Sequence, residues 1–495
     1  MKKTGLLIII LFIIIPDLIA QTYINGGDVN GIWTKSNSPY YINGEISIPN
    51  HDTLVVEPGV KIIFMGHYKF IIRGILRANG TPQDTIVFTA QDHTVGWHGI
   101  RIIENYNDTT VLEYCKLEYG KANTGTGEED RCGGALYYKI GKLRISNCLF
   151  QYNLSYHPNA AFTGGGALAL TVGSPVVENC EFFQNTSNFG AGIIIWYETS
   201  TPLIRNNYFH DNDGHGLINI GSGASPTLVN NYMRYNFFTD HGLIHFSNGS
   251  GKAVFINNTI VLNTGWGGAI FENDNSDPIF INNIIWGNEP AQVNLLASSG
   301  LSFINCIMQG GTEGFVGGNY FMGLYQNCID ADPEFENAEV CIIKNNSPCI
   351  GVGIDSIELD GEWYYTPEND IYGNSRPNPA GSLPDIGAFE SPLALPVRVI
   401  NITNNPTPED FRLFQNYPNP LNSFTIINYQ LTMNNFVTLK VYNTLSEEVI
   451  TLVNEQKPAG TYKIEFYAGN LPSGIYFYRI QAGPFTETKK MILLK

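Results

Sequence analysis

Histidine and aspartate side chains are concentrated in two neighbouring stretches near the middle of the chain. The first stretch runs from His210 to Gly216, and the second contains Asp240 and His241, followed by His245. Imidazole and carboxylate groups exchange protons near neutral pH, and both also bind metal ions. The sequence therefore offers candidate catalytic residues for acid/base chemistry on a saccharide: Asp211, Asp213, His215, Asp240 and His241.

Three further side chains are candidates for holding a ligand beside this cluster. A sequence repeat aligns Glu272 with His245 and Asn219, which predicts a second polar column. An exposed indole ring suits the face of a sugar, although aromatic residues in repeats more often cover a core or an edge. The predicted ligand-binding residues are His245, Glu272 and Trp266. The alternative is that all these residues simply occupy a bend and an exposed strand face.

Charge and residue spacing disfavour several chemistries. The chain has 28 basic and 45 acidic residues and a net charge of −17, which disfavours nucleic acid as a partner. A lyase acting on acidic glycans needs a basic side chain, yet only Arg205, Arg234 and Lys252 supply one between residues 205 and 341. No cysteine or histidine spacing typical of zinc occurs, so no metal ligands or cofactors are predicted. Two oxygen-rich turns, 211–214 and 273–277, would suit Ca²⁺ but complete no known calcium loop.

A repeated module must position these side chains. The first Asn of the module recurs at steps of 22 to 32 residues, at Asn147, Asn179, Asn206, Asn230, Asn257, Asn282, Asn305 and Asn327. A rung of this length suits three short strands and their turns, as in a solenoid. Small residues recur at the bend into one strand of each rung. Alignment of the rungs at these residues places His215 beside His241, and neighbouring strands are about 4.8 Å apart.

The repeat resembles right-handed parallel β-helix proteins over residues 50–330. The resemblance implies that like residues stack between rungs and that the first Asn of each rung hydrogen-bonds its neighbours above and below. Cysteines take the next position in four rungs, as a stack of buried thiols or as disulfides: Cys148, Cys180, Cys306 and Cys328. The sequence Gly214, His215, Gly216 also resembles an element of polygalacturonase-type hydrolases, but the acidic and basic motifs of those enzymes are not at matching positions.

Both ends of this repeat region carry further signals. Two lysines, an apolar run over residues 6–15 and small residues before Gln21 predict a secretory signal peptide at 1–20. Residues 55–100 resemble the capped first coils of secreted bacterial β-helices, and 331–390 resemble the closing segment called choice-of-anchor. In that segment Cys341 and Cys349 are the best candidates for a local disulfide. Proline-rich residues 391–410 are predicted to form a linker, and no segment is long and apolar enough for a transmembrane helix.

The last 85 residues form a different region. Apolar and polar residues alternate with period two between turn formers, which predicts a small sandwich of six or seven strands. The stretches 411–420, 471–480 and 489–495 resemble the type A C-terminal sorting domain of the type IX secretion system. The resemblance implies that residues 411–495 engage the type IX secretion machinery, and that the protein is exported to the surface or surroundings of a Gram-negative bacterium.

Together these features predict an all-β protein. It comprises a signal peptide (1–20), a right-handed parallel β-helix with N-terminal cap coils and a closing segment (21–390), a linker (391–410) and an Ig-like β-sandwich (411–495). The predicted function is a secreted, surface-delivered scaffold that binds glycans without catalysis. The alternative is a secreted polysaccharide-degrading enzyme, either a glycoside hydrolase or a lyase of the pectinase-like β-helix type. Because both functions share this fold, only the arrangement of the polar groups distinguishes them.

Overall fold

A computed structural model describes residues 21–495, apart from 104, 159–162, 248, 250, 273–274, 338, 340, 394, 396–397, 402–407, 423, 469–470 and 495. The predicted signal peptide lies outside the described residues. The described helices are short: an α-helix at Glu128–Arg131 and 3-10 helices at Lys35–Asn37, Gly311–Gly314 and Gly318–Tyr320. None of them has the length and apolar character needed to span a membrane.

The repeat region is a right-handed parallel solenoid with three long sheets, and each coil runs from sheet 3 to sheet 1 to sheet 2. Sheet 1 comprises Thr22–Ile24, Tyr40–Ile42, Lys61–Phe64, Ile86–Ala90, Cys115–Glu118, Leu149–Gln151, Glu181–Phe183, Tyr208–His210, Tyr232–Arg234, Thr259–Val261, Ile284–Trp286 and Ile307–Met308. Sheet 2 comprises Gly27–Asp28, Ile46–Ile48, Phe70–Ile72, Ile100–Ile102, Leu136–Tyr138, Leu168–Leu170, Ile193–Trp196, Ile218–Gly221, Ile244–Ser247, Ile270–Glu272 and Val293–Leu295. Sheet 3 comprises Gly31–Trp33, Thr53–Val56, Ile75–Asn79, Asn105–Glu113, Gly141–Ser146, Val176–Glu178, Leu203–Arg205, Thr227–Val229, Val254–Ile256, Ile279–Ile281, Ser302–Ile304 and Tyr325–Gln326.

Five coils also place a two-residue strand between sheets 1 and 2. These strands form a parallel bend sheet: Leu154–Ser155, Thr186–Ser187, Asp213–Gly214, Phe237–Phe238 and Thr264–Gly265. Inside the solenoid, like residues stack on like, as the rings of Phe150, Phe182 and Phe209 do at 5.0 and 4.4 Å. Repetition thus gives one continuous apolar core, and the predicted fold class is confirmed.

The first Asn of each rung forms the bend between sheets 3 and 1. The ladder predicted for it is formed in two pairs, in which Asn230 Nδ2 donates to Asn206 Oδ1 at 3.2 Å and Asn282 Nδ2 to Asn257 Oδ1 at 3.5 Å. All eight take a left-handed backbone conformation, with φ between 52° and 56°. Asparagine tolerates this conformation better than other residues with a Cβ atom. The continuous ladder lies one position later than predicted, because the side chain of the next residue faces into the solenoid.

The inward ladder at that next position consists of seven consecutive bonds that link eight coils, from Cys115 to Cys306. The side-chain oxygen of each Asn accepts the backbone N–H of its counterpart in the preceding coil, at 2.8 to 3.1 Å, through Asn207, Asn231, Asn258 and Asn283. Thiols replace the amides elsewhere, and the Sγ atoms of Cys148, Cys180 and Cys306 accept the same bond at 3.4 Å. All eight cysteines are free thiols in the structure, so the predicted Cys341–Cys349 disulfide is absent.

Removing one ladder amide is expected to destabilise the solenoid. Asn258 Oδ1 accepts the backbone N–H and the Nδ2 of Asn231, each at 2.9 Å, and its own Nδ2 donates to the Leu228 carbonyl. Unsatisfied buried groups cost roughly 1–3 kcal/mol each, so Asn258→Ala should lower the free energy of unfolding by roughly 2–4 kcal/mol. Asn258→Cys should cost less, since thiols already serve in other coils. Denaturant unfolding measures both, and equal losses would contradict the ladder as the cause.

The closing segment packs along the outer side of the first-Asn column. Asn257 Nδ2 donates to the carbonyls of Asp385 and Gly387 at 3.0 and 3.1 Å, and Asn282 Nδ2 donates to Ile354 O at 2.9 Å. The segment contains two hairpins, formed by Phe335–Asn337 with Ile342–Ile343 and by Ser356–Leu359 with Glu362–Tyr365. The bend residues of these coils are therefore buried, because the closing segment covers them.

The C-terminal region consists of two four-stranded antiparallel sheets. One contains Arg398–Asn401, Gly460–Tyr467, Phe424–Leu431 and Arg412–Leu413, and the other contains Glu448–Lys457, Asn435–Tyr442, Gly474–Ala482 and Phe485–Leu493. Strand Arg398–Asn401 lies within the predicted linker and pairs with Gly460–Tyr467. The prolines around it indicated a linker, and a four-residue strand is too short to show period-two alternation.

Tyr478 joins the sequence motifs that identified this region. Its buried hydroxyl accepts the Asn416 N–H at 2.7 Å and donates to the Phe414 carbonyl at 2.9 Å. Leu421 N–H donates to Ile492 O at 2.8 Å, which ties the opening motif to the last strand. The three motifs, far apart in sequence, form one contiguous unit.

Candidate functional site

The predicted histidine pair lies on the outer face of sheet 2, where each chain segment enters from the bend sheet. Residues 215–217 make this connection in one coil and residues 239–243 make it in the next. His215 and His241 each stand three residues before the paired Ile218 and Ile244, and their ring centroids are 6.2 Å apart. Gly216 has a φ of 119°, which a residue with a side chain rarely adopts, so the shorter connection requires glycine.

The two additional residues in the longer connection bring Asp240 to the histidines. Asp240 Oδ2 lies 3.9 Å from His215 Nδ1 and 3.8 Å from His241 Nδ1. Ligand atoms of all three side chains lie within 4.8 Å of one another, an arrangement able to hold a metal ion. The Asp240 side chain is 66% exposed and that of His215 is 36% exposed, so the cluster opens to solvent.

A buried polar row supports this cluster from behind. The indole N–H of Trp196 donates to Asn219 Oδ1 at 3.2 Å, and Asn219 Nδ2 lies 2.7 Å from His245 Nδ1. Because an indole can only donate, Asn219 must turn its amide nitrogen toward His245, whose Nδ1 then accepts and whose proton is on Nε2. The His245 ring lies 4.2 Å from that of His241 and is buried, so it positions His241 and does not face solvent.

Burial also sets the charge state of His241. Desolvation lowers the pKa of this imidazole, the neighbouring His215 lowers it further, and Asp240 opposes both effects. His241 is therefore a neutral imidazole at pH 7. A neutral imidazole can accept a proton or a hydrogen bond, and it can also bind a metal ion.

The predicted carboxylates do not gather around the histidine pair. Asp211 Oδ2 lies 2.7 Å from His210 Nδ1, and the other ring nitrogen of His210 lies 3.0 Å from Glu181 Oε1. Although burial acts in the opposite direction, these two carboxylates raise the pKa of His210. Asp213 is exposed on its own strand and is not in the group around Asp240. The structure thus brings together only three of the five predicted catalytic residues.

One predicted ligand-binding residue, Glu272, does not align with the polar row of Asn219 and His245. In the strand pairing Phe271, not Glu272, aligns with His245 and Asn219, so the predicted register was wrong. Ala269 occupies the position of Leu243, and both residues are apolar, which concealed the shift of one residue. Glu272 aligns with Phe246, and its side chain lies outside the described part of the structure.

Trp266 is 75% exposed at the next coil. The next residue, Gly267, lies against the backbone of His241. A Cβ atom at residue 267 would come within 2.7 Å of the His241 carbonyl carbon. Trp266 therefore belongs to the chain segment that runs next to the His241 backbone. We call the surface formed by His215, Asp240, His241 and Trp266 the histidine face.

The basic side chains of this region are already engaged. Arg205 pairs with Glu178 at 2.5 Å, and Lys252 pairs with Glu362 at 3.1 Å. The Arg234 guanidinium lies over the Tyr235 ring, 4.8 Å from its centroid. A lyase of acidic glycans would need one of these side chains in the site, and none of the three lies in the histidine face.

A second polar cluster is formed by residues that no sequence pattern indicated. His98 Nδ1 lies 2.9 Å from His67 Nε2, and burial together with Arg101 lowers the pKa of His98 to about 2. Arg101 is fully buried, and Asp130 of the short α-helix covers this cluster and pairs with Lys69. These residues come from separate coils, so local spacing carries no signal for them. His98 and Arg101 are buried, so neither offers a surface to a ligand.

Two surface clefts lie away from the histidine face. One, of about 530 Å³, lies beside Lys252 and Asp277, between sheet 3 and the second hairpin of the closing segment. The other, of about 650 Å³, lies beside Lys344 and Glu455, between the closing segment and the sandwich. Asn275 and Asp277 of the oxygen-rich turn at 273–277 line the first cleft, and neither cleft contains a predicted catalytic or ligand-binding residue.

Comparison with known families agrees with this architecture. Residues 78–260 match the family described as right handed beta helix region, and residues 415–494 match the secretion system C-terminal sorting domain. The chain is a secreted right-handed β-helix protein with a C-terminal sorting domain. A domain of this family implies secretion of the β-helix protein to the cell surface or the extracellular space.

Curated relatives match short parts of the β-helix protein. Protein bark beetle of Drosophila melanogaster is 32% identical over 96 residues, which are 17% of this chain and 3% of that protein. Metabotropic glutamate receptor-like protein R of Dictyostelium discoideum is 29% identical over 130 residues, which are 26% of this chain and 8% of that protein. The chain thus spans less than a tenth of either relative. No solved structure matches it.

Proposed function

We propose that the β-helix protein is a surface-delivered scaffold that binds glycans through its histidine face and does not cleave them. The observation that carries the proposal is the exposed Trp266 ring, on the segment next to His241, together with three side chains able to hydrogen-bond hydroxyl groups. A flat apolar ring next to polar groups is the combination that suits a sugar, which has one apolar face and a rim of hydroxyls.

The placement of the carboxylates favours binding over hydrolysis. Most glycosidases use two carboxyl groups on opposite sides of the scissile bond, roughly 5 to 9.5 Å apart. In the histidine face Asp240 is the one carboxylate among the described residues, while Asp211 is held by His210. A patch with one exposed acid can hold a saccharide but lacks the acid and base pair for this reaction.

Trp266→Ala is expected to weaken glycan retention at least about tenfold, since truncating an aromatic anchor costs roughly 2 kcal/mol. The measurement is retention of the purified chain, residues 21–495, on a panel of immobilised polysaccharides. Trp363→Ala is the matched control, because Trp363 is also exposed, at 54%, but lies on the closing segment. Equal loss in both variants, or no loss in Trp266→Ala, would refute the proposed surface.

The same panel tests the enzymatic alternative. Oligosaccharides released by the unmodified protein and not by His241→Ala would show that the histidine face is a hydrolytic site. Retention without any released product is the result expected for a scaffold.

A further inference from the structure

The histidine face contains a set of metal-ligand atoms that no sequence motif indicated. His215 Nδ1 and His241 Nδ1 lie 3.9 and 3.8 Å from the same oxygen of Asp240. The ligands come from two adjacent coils, and His215 is separated from the others by 25 residues. Zinc motifs are recognised by short, regular spacings, so the parallel stacking of coils creates a ligand set that such motifs miss.

The distances are close to those of a metal centre. In tetrahedral coordination with bonds of about 2.0–2.1 Å, neighbouring ligand atoms are roughly 3.3–3.4 Å apart. The two nitrogen–oxygen distances need to shorten by about 0.5 Å to meet this geometry, and the ligand nitrogens of the two imidazoles, which lie within 4.8 Å of each other, also need to be roughly 3.4 Å apart. Asp240 is mostly exposed and lies in the longer connection, so its side chain can rotate without disturbing the core.

A second observation concerns His241 itself. Its Nδ1 atom is buried and has no hydrogen-bond partner among the described residues. Buried polar nitrogens normally have a partner, so this atom is left with an unused lone pair or proton. The ring is held in place by contacts with His245 at 4.2 Å and Phe271 at 5.7 Å, which keep Nδ1 directed at Asp240.

We propose that His215, Asp240 and His241 bind a divalent transition-metal ion such as Zn²⁺. Two imidazoles and one carboxylate suit Zn²⁺, Cu²⁺ or Ni²⁺, whereas Ca²⁺ prefers six to eight oxygen ligands. Three protein ligands leave the fourth coordination position of the metal open. Because His215 and Asp240 are partly exposed, that position would face solvent. This inference rests on the three side chains alone and does not depend on glycan binding.

The test is a titration of the untagged, metal-free chain with Zn²⁺ by calorimetry and with Co²⁺ by visible absorption. We expect one ion per chain and the strong absorption of four-coordinate Co²⁺. His215→Ala and His241→Ala should each weaken binding about tenfold or more, since each removes a direct ligand. His215→Cys should keep Co²⁺ bound and add a thiolate-to-metal absorption band, which a merely destabilised variant would not show.

His210→Ala is the matched control. His210 also contacts two carboxylates, but Glu181 and Asp211 lie at its two different ring nitrogens and so cannot share one ion with it. Binding that survives both histidine-face substitutions, or that is lost in His210→Ala, would overturn the proposal. Circular dichroism of the metal-free variants checks their folding. Glycan retention measured after chelation separates the two proposals, since failure of the metal site leaves Trp266-dependent retention unchanged.

Discussion

Deletion of residues 411–495 is expected to stop delivery to the cell surface and to leave the β-helix in the periplasm. The solenoid sheets and the sandwich sheets share no strand pairing, so the coils form their sheet hydrogen bonds without the sorting domain. The secretion machinery would then lack the surface formed by the three motifs that Tyr478 joins. Surface proteolysis of intact cells, compared with periplasmic extracts, measures the distribution. Normal surface delivery after deletion would refute this role.

A point substitution tests the same prediction with less change to the chain. Tyr478→Ala removes a buried ring and both hydrogen bonds to the opening motif, and truncation of a buried aromatic residue costs roughly 3–5 kcal/mol. We expect it to reduce export strongly. Leu445→Ala is the matched control, because Leu445 is 76% exposed in the same domain and should leave export unchanged. Loss of export in both variants would mean that the effect is not specific to the motif contact.

Arg376→Met is expected to destabilise the closing segment by about 3–5 kcal/mol, because it leaves a buried carboxylate without its cation. The Arg376 guanidinium donates to Glu390 Oε2 at 2.8 Å, to Asn230 Oδ1 at 2.7 Å and to the Gly387 carbonyl at 2.9 Å. Both charged side chains are 0% exposed. Arg376 therefore connects the closing segment to Asn230 in the first-Asn column of the solenoid. Hydrogen exchange over residues 331–393, together with denaturant unfolding, measures the loss.

The pH dependence of this variant follows from the carboxylate. Burial raises the pKa of Glu390, and Arg376 opposes that effect, so removing Arg376 should raise it further. A carboxyl group with a raised folded-state pKa stabilises at low pH and loses that contribution as pH rises. The deficit of Arg376→Met should accordingly shrink as the pH is lowered from 8 toward about 5. A deficit independent of pH would contradict an electrostatic cause.

Two further variants complete this test. Arg376→Met combined with Glu390→Gln should recover part of the loss, since it removes the uncompensated charge. Lys344→Met provides the surface comparison. Lys344 and Glu334 form an ion pair at 2.8 Å with both side chains at least 37% exposed, and such pairs contribute less than about 1 kcal/mol.

The sequence predicted the coils well, but it misplaced two registers within them. Each coil repeats its apolar pattern, so strand existence and core composition could be predicted from local alternation. The ladder was assigned to the first Asn of each rung because Asn stands there in all eight copies, whereas thiols interrupt the true ladder position. Glu272 was misaligned because Ala269 and Leu243 are both apolar. A pattern of residue classes cannot resolve a shift of one position at a bend, where a coil can gain or lose a residue.

The sequence by itself determined the architecture and the destination of this protein. The repeat length of about one coil and the apolar alternation within each coil are local properties of the sequence. The alternating tail and its motifs are local properties too. Each pattern repeats often enough to identify the structure that it predicts. Only the tertiary structure decided which polar groups meet. Asp240 reaches both histidines because the connection that contains it is two residues longer, and Arg376 reaches Asn230 across 146 residues. Such contacts depend on how the coils stack and on which segment covers them. The fold sets the distances between these side chains, and residues adjacent in sequence do not.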